Sequence, residues 1–197
     1  MLIHRKSLAG FTLIELMIAI AIVGVLLVAG LPEAVNWIQN TKIRTTAESF
    51  SNGAQLARAE AVRRNTTVEF ALTSTVPTVG NVNALVYAAA GPYWMVRKFQ
   101  TGSVYTAADF VQGGGNEITT SSTVISVSPS DPNVVFDGLG RTDLAAGALT
   151  IQVTNPNVGA CVAAGPMRCL NVRVQPGGQI RMCDPSVPAA SGDTRAC

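Results

Sequence analysis

The stretch Gly10-Phe11-Thr12-Leu13-Ile14-Glu15 opens an apolar run that reaches Leu31 and carries one charge, at Glu15. As a helix, this run is long enough to cross a hydrocarbon core of about 30 Å. A carboxylate within such a segment is costly, so by default it is a functional residue with a partner charge. The sequence therefore predicts a membrane-spanning helix with a functional glutamate near its start.

The ten residues ahead of this run form a short basic leader. They include His4, Arg5 and Lys6 and contain no acidic residue. An ordinary secretory signal is cut after its apolar region and loses that region. Here a cut at Gly10 would fall before the apolar run, which would stay in the mature protein. Because basic residues remain on the cytoplasmic side, we expect the chain beyond the helix to lie outside the cytoplasm.

The segment from Gly10 to Ile22 resembles the class III signal of type IV pilins and type II secretion pseudopilins. The resemblance implies that a prepilin peptidase of the inner membrane cuts between Gly10 and Phe11 and methylates the new amino group of Phe11. It also implies that Glu15 meets the Phe11 amine of a neighbouring subunit in a helical filament, where each charge neutralises the other. The alternative is a plain one-pass anchor in which Glu15 reaches to the membrane interface.

The helical pattern continues beyond the membrane segment to about Asn65. Apolar residues recur at alternating four- and three-residue steps, which predicts one buried stripe along a helix. The stripe consists of Ile43, Ala47, Phe50, Ala54, Ala57 and Ala61. Its mostly small side chains predict close packing against a sheet. We therefore divide the chain into a removed leader (1–10), a transmembrane assembly helix (11–31), an amphipathic continuation (32–65) and a β-rich periplasmic domain (66–197).

After Thr66 the apolar period changes from helical to alternating, which is typical of strands. Predicted strands lie at Val68–Leu72, Trp94–Val96, Val124–Val127, Val134–Phe136, Leu149–Val153, Leu170–Val174 and Ile180–Met182. A long N-terminal helix followed by short antiparallel strands predicts an α+β fold, with the helix packed on antiparallel sheets. The run Gly113-Gly114-Gly115 lacks the Lys-Ser/Thr of a phosphate loop, so we interpret it as a flexible hairpin tip.

The four cysteines, Cys161, Cys169, Cys183 and Cys197, lie far beyond the membrane segment, where oxidation can occur. Four cysteines allow three pairings. We favour Cys161 with Cys169 and Cys183 with Cys197, because each pair closes a short loop containing Pro and Gly. A metal site is the rival interpretation, but the spacings fit no zinc pattern.

Charge and composition argue against two further classes of protein. Loss of Arg5 and Lys6 with the leader leaves twelve basic and twelve acidic residues, which is not the balance of a protein that coats nucleic acid. The only histidine, His4, leaves with the leader, so the mature chain has no Ser-His or Cys-His dyad. We therefore predict no catalytic residue, metal or cofactor.

Three later stretches are similar to the GspH/FimT group of minor pilins and pseudopilins. They are Asn52–Asn65 at the helix end, Val135–Arg141 running into a glycine turn, and Pro176–Pro185. The resemblance implies a type IV pilin-like fold with two small sheets packed on the helix. It also implies a subunit present in few copies, whose partners are other major and minor pilins.

We favour a FimU-like minor pilin that primes assembly of a type IV pilus. One alternative is a GspH-like pseudopilin of type II secretion, and the other is a FimT-like pilin that binds DNA during natural transformation. In DNA-binding members, the stretch after the last glycine turn resembles Gly-Arg-x-Arg. This chain has Gly178-Gln179-Ile180-Arg181 there, so it lacks the first of the two arginines that would attract phosphate. The remaining candidate DNA contacts are Arg168, Arg173, Arg181 and Arg195.

Overall fold

A computed structural model describes residues 10–102, 104–115, 124–128, 132–145, 147–155, 161–162, 165 and 167–197. Its contacts divide the chain into two compact units, Met1–Ile38 and Gln39–Cys197. Helix α1, Leu13–Arg64, contributes residues to both units. Apart from Gly10, the predicted leader lies outside the described residues.

The second unit contains two antiparallel sheets of four strands each. Their strands are β1 (Val68–Thr73), β2 (Tyr93–Lys98), β3 (Phe110–Gly115), β4 (Val124–Ser128), β5 (Asn133–Phe136), β6 (Leu149–Thr154), β7 (Leu170–Val174) and β8 (Ile180–Cys183). The first sheet has the order β3-β2-β1-β5 and the second the order β4-β6-β7-β8. The predicted α+β class and all seven predicted strands are confirmed.

The core forms where the C-terminal part of α1 meets the apolar faces of both sheets. All six residues of the predicted stripe, from Ile43 to Ala61, have no exposed surface. They pack in one cluster with Phe70 and Phe136 of the first sheet and Ile151 of the second. The four alanines leave room for the helix backbone to approach the sheets, and Phe50 fills the remaining space. The predicted close packing of helix on sheet is confirmed.

The interpretation of Gly113-Gly114-Gly115 as a flexible hairpin tip is wrong, because these residues end strand β3. Gly114 pairs with Trp94 of β2 in antiparallel register. A β-carbon on Gly114 would lie 2.7 Å from the Trp94 ring, and one on Gly113 would lie 2.2 Å from Pro77. Glycine is required here by close packing rather than by flexibility, which sequence alone does not distinguish.

Replacing Gly114 with alanine is expected to lower the free energy of unfolding by about 1–3 kcal/mol, because the new methyl group overpacks the Trp94 ring. Guanidinium denaturation followed by circular dichroism measures the loss. Gly177→Ala is the matched control, since a β-carbon on Gly177 meets nothing within 4 Å. Equal stability of the two variants would show that β3 does not pack on Trp94 as described.

A buried ionic network lies on the face of the first sheet that points away from α1. Glu69 of β1 and Arg97 of β2 are directly opposite in register. Their side chains are 0% and 3% exposed, and Arg97 Nε donates to Glu69 Oε2 over 2.7 Å. Arg97 Nη1 also donates to the Val82 carbonyl at 2.6 Å. Two fully desolvated charges in one sheet therefore neutralise each other.

The loop between β1 and β2, together with the segment before β3, covers this ion pair. Tyr87 donates its hydroxyl to Glu69 Oε1 at 2.6 Å and accepts Arg97 Nη2 at 2.6 Å. The Arg97 guanidinium lies 3.7 Å from the ring centroid of Tyr105, a cation–π distance. Burial, followed by the bond to Glu69, raises the pKa of Tyr87 well above its usual range. These two segments therefore cover a buried charge pair.

Candidate assembly site and C-terminal arginine cluster

The start of α1 is capped by two of its own first residues. The backbone N–H and Oγ1 of Thr12 each donate to Glu15 Oε2 over 3.4 Å, and the backbone N–H of Glu15 donates to Thr12 Oγ1 over 3.3 Å. This reciprocal arrangement is a capping box. The Thr-x-x-Glu spacing is visible in the sequence, yet we predicted Glu15 only as a filament residue.

These capping bonds are long for hydrogen bonds. The Glu15 carboxylate is held at the first turn of α1, four residues after Phe11, which would be the new N-terminus after a cut at Gly10. An ammonium is a stronger donor to a carboxylate than a neutral N–H. The geometry therefore leaves Glu15 able to accept a cation while it still caps the helix.

The N-terminal part of α1 is covered with exposed apolar side chains. From Phe11 to Val28 its large apolar residues are 52–88% exposed. Within the described residues, α1 is the one helix long and apolar enough to cross a membrane, with a mean hydropathy of 2.7 over its most apolar window. Such a surface needs lipid or other apolar helices around it.

The cysteines form the two disulfides that we favoured from the sequence. Cys161 bonds to Cys169 and Cys183 to Cys197. All four thiols are thus in disulfides, which leaves no thiolate for a metal. The second disulfide ties Cys197 to the end of β8 and closes the segment Asp184–Ala196 into a loop.

The structure brings two of the four candidate DNA contacts together and leaves the other two elsewhere. Arg173 of β7 and Arg181 of β8 are directly opposite in register. Like charges in that relation repel each other. Both guanidinium groups donate to the carbonyl oxygen of Cys197, Arg181 Nη2 over 3.1 Å. Cys197 therefore provides a shared acceptor between two adjacent cations.

Arg168 and Arg195 line a separate shallow cavity of about 340 Å³ together with Asp184 and Asp193. Arg195 Nη2 donates to Asp193 Oδ2 at 2.7 Å. Two arginines and two aspartates leave this cavity without a net charge. Of the four candidate DNA contacts, only Arg173 and Arg181 form an adjacent cationic pair.

The Arg195 side chain, together with its backbone N–H, lowers the pKa of Asp193 to about 2. Because the pKa falls on folding, this pair stabilises the fold above the ordinary Asp value of about 3.9 and ceases to do so as the pH falls towards 2. We expect Arg195→Gln to raise the pKa of Asp193 towards its ordinary value in a carboxyl NMR titration. Arg168→Gln, in the same cavity, should leave it unchanged. An unaltered Asp193 titration in Arg195→Gln would contradict the pairing.

The stretches that carry the GspH/FimT resemblance meet at the end of α1. Arg58 Nε donates to the Gly140 carbonyl over 3.1 Å. Gly178 has a φ of 78°, and a β-carbon there would lie 1.8 Å from the same carbonyl oxygen. Any side chain at Gly178 would thus separate the two turns from each other and from the helix.

The matched family models cover both units of the chain. A model described as type II transport protein GspH matches residues 46–178. The chain belongs to the GspH family. A second model, the prokaryotic N-terminal methylation motif, matches residues 5–31, which contain Gly10, Phe11 and Glu15. The predicted membership of the GspH/FimT-type minor pilins and pseudopilins, a family of structural subunits, is confirmed.

The solved structure of a type IV minor pilin shares this fold. The type IV minor pilin FimU of Pseudomonas aeruginosa aligns with a TM-score of 0.53 at 12% identity, covering 82% of this chain and 99% of FimU. The minor pseudopilin EpsH of the Vibrio cholerae type 2 secretion system aligns with a TM-score of 0.48 at 9% identity, covering 74% of this chain and 99% of EpsH. A comparison with curated protein sequences gave no match. The predicted type IV pilin-like fold is confirmed.

Proposed function

We propose that this GspH-family chain is a minor type IV pilin that primes assembly of the pilus and is incorporated into it. Prepilin peptidase cuts between Gly10 and Phe11 and methylates Phe11. Helix α1 then anchors the subunit in the inner membrane, with the β-rich domain in the periplasm, until other major and minor pilins take it into the filament.

One observation carries this proposal: an exposed apolar helix begins immediately after the Gly10–Phe11 junction and holds Glu15 at its first turn. A lipid anchor alone explains the apolar surface but gives the carboxylate no charged partner. In a filament the same surface packs against neighbouring helices, and the carboxylate accepts the ammonium of Phe11 from the next subunit. One assembly then covers the apolar surface and gives the Glu15 carboxylate a charged partner.

Our choice of a pilus over a type II secretion filament depends on the disulfide-closed segment after Arg181. This cysteine-rich, Asp-Pro-containing segment resembles the FimU- and FimT-like members more than the GspH-like ones. Deleting the gene is expected to reduce surface pili and to leave secretion of exported enzymes intact. Normal piliation together with lost secretion would instead identify a GspH-like pseudopilin.

DNA binding is a second candidate function, favoured by the adjacent guanidinium groups of Arg173 and Arg181. We expect full-length protein in detergent micelles to bind duplex DNA in at least one of two states, with its disulfides intact or with them reduced. The affinity should fall steeply as the salt concentration rises. Arg181→Ala should weaken binding to all sequences alike and flatten the salt dependence. The control is Arg44→Ala, which removes an exposed helix arginine. No binding at low salt in either redox state would contradict this candidate.

A further inference from the structure

We propose that Arg173 and Arg181 form an oxyanion site for phosphate groups, which the C-terminal segment closes through the Cys183–Cys197 disulfide. In the oxidised protein the carbonyl oxygen of Cys197 occupies the site. Opening the disulfide releases this carbonyl and exposes the paired arginines. The phosphodiester as ligand rests on the second candidate function above, whereas the closure itself does not.

Arg173 and Arg181 have more N–H donors than the Cys197 oxygen can accept from. Each guanidinium carries five N–H groups, and a carbonyl oxygen accepts about two hydrogen bonds. In the described structure each arginine gives one bond to the Cys197 carbonyl. The Nε of Arg181 is buried and has no hydrogen-bond partner among the described residues. A phosphate group, with several charged oxygens, can accept from more of these donors than the one Cys197 oxygen does.

The Cys183–Cys197 disulfide helps to keep the Cys197 oxygen in place. Cys197 is bonded to Cys183, which lies two residues beyond Arg181 on β8. Most of the intervening segment is exposed, and besides the disulfide it is held by the bridge between Asp184 and Ala196 and by the two arginine bonds to Cys197. The disulfide adds a covalent link between Cys197 and the strand that carries Arg181.

The segment that closes the site also carries charge. The closing segment carries Asp184, Asp193 and Arg195, so its formal charge is negative by one. When the segment leaves, the face of β7 and β8 loses this negative charge as well as the carbonyl. Both changes strengthen the attraction of Arg173 and Arg181 for a phosphate group.

Opening requires a dithiol reductant. The sulfur–sulfur bond between Cys183 and Cys197 breaks, both sulfurs become thiols, and the dithiol is oxidised to a disulfide. The Cys161–Cys169 bond undergoes the same chemistry but lies on another loop. This gives the experiment an internal control.

The test uses full-length protein in detergent micelles and two double variants, Cys183→Ser/Cys197→Ser and Cys161→Ser/Cys169→Ser. Accessibility of Arg173 and Arg181 is measured by phenylglyoxal modification and peptide mass spectrometry. Affinity is measured by fluorescence anisotropy of a labelled duplex DNA, with inorganic phosphate as competitor at constant ionic strength. Anionic lipid vesicles are compared in parallel, to distinguish a headgroup phosphate from that of nucleic acid.

We expect Cys183→Ser/Cys197→Ser to increase modification of both arginines and to tighten DNA binding at least about tenfold, the value of one added hydrogen bond to a charged group. Inorganic phosphate should compete, and Arg181→Gln in this background should reverse the gain. The Cys161→Ser/Cys169→Ser variant should behave like the wild type.

Equal modification in all variants would overturn the closure, even if DNA binds and the second candidate function stands. Increased modification without binding of DNA, phosphate or vesicles would overturn the oxyanion site. A gain for vesicles alone would overturn nucleic acid as its ligand and support a lipid headgroup phosphate.

Discussion

Replacing Arg97 with alanine is expected to lower the free energy of unfolding by about 3–5 kcal/mol, because the partner carboxylate remains buried without a counter-charge. Glu69 is 0% exposed and lies on β1, an inner strand of the first sheet. The variant also removes the donor to the Val82 carbonyl and the cation beside Tyr105. Chemical denaturation of the domain measures the effect.

Two further variants distinguish the loss of the Arg97 charge from the loss of its hydrogen-bond geometry. Arg97→Lys keeps the positive charge but cannot reproduce the three separate donations of the guanidinium, so an intermediate loss of about 1–3 kcal/mol is expected. Arg44→Ala breaks an exposed ion pair with Glu48 and should change stability little. A loss in Arg97→Ala no larger than that in Arg44→Ala would contradict the buried network.

Replacing Glu15 with alanine is expected to leave cleavage after Gly10 intact and to reduce incorporation into filaments at least about tenfold, because an ammonium left unpaired in an apolar setting costs several kcal/mol. The peptidase acts on the junction before the helix, whereas the carboxylate is needed only once subunits meet. Immunoblots of envelope and sheared-filament fractions measure both steps in the same cells.

The capping box requires a further control, because Glu15→Ala also removes a helix cap. Thr12→Ala removes the two bonds of the threonine hydroxyl but keeps the carboxylate and the bond it accepts from the backbone N–H of residue 12, at a cost of about 1 kcal/mol to the helix start. It should assemble nearly as well as the wild type, as should Glu33→Ala further along α1. If Thr12→Ala assembled as poorly as Glu15→Ala, capping rather than pairing between subunits would explain the glutamate.

Much of the fold could be predicted from the sequence because its signals are local. The stripe from Ile43 to Ala61 has a helical period, and the strands alternate, so each pattern identifies an element without reference to the rest of the chain. Strand β3 was not predicted, because its glycines have no side chains and so give no alternating apolar pattern. Glycine is needed at position 114 because the Trp94 ring packs against it, and this contact exists only in the folded sheet.

The candidate sites were predictable in part for the same reason. Glu15 is conspicuous because it is a charge within an apolar run. By contrast, the pairing of Glu69 with Arg97 and of Arg173 with Arg181 depends on strand register, which the sequence does not give directly. Register places two of the four candidate DNA contacts side by side, whereas Arg168 and Arg195 lie outside the strands and line a charge-balanced cavity.

We propose that the chain is cut at Gly10–Phe11 and assembles through its exposed N-terminal helix. The first experiment is mass spectrometry of the chain recovered from sheared surface filaments. We predict an N-terminal peptide that begins at Phe11, carries one added methyl group and retains Glu15. A chain that is absent from the filaments, or that keeps residues 1–10, or that has lost the apolar run, would contradict it.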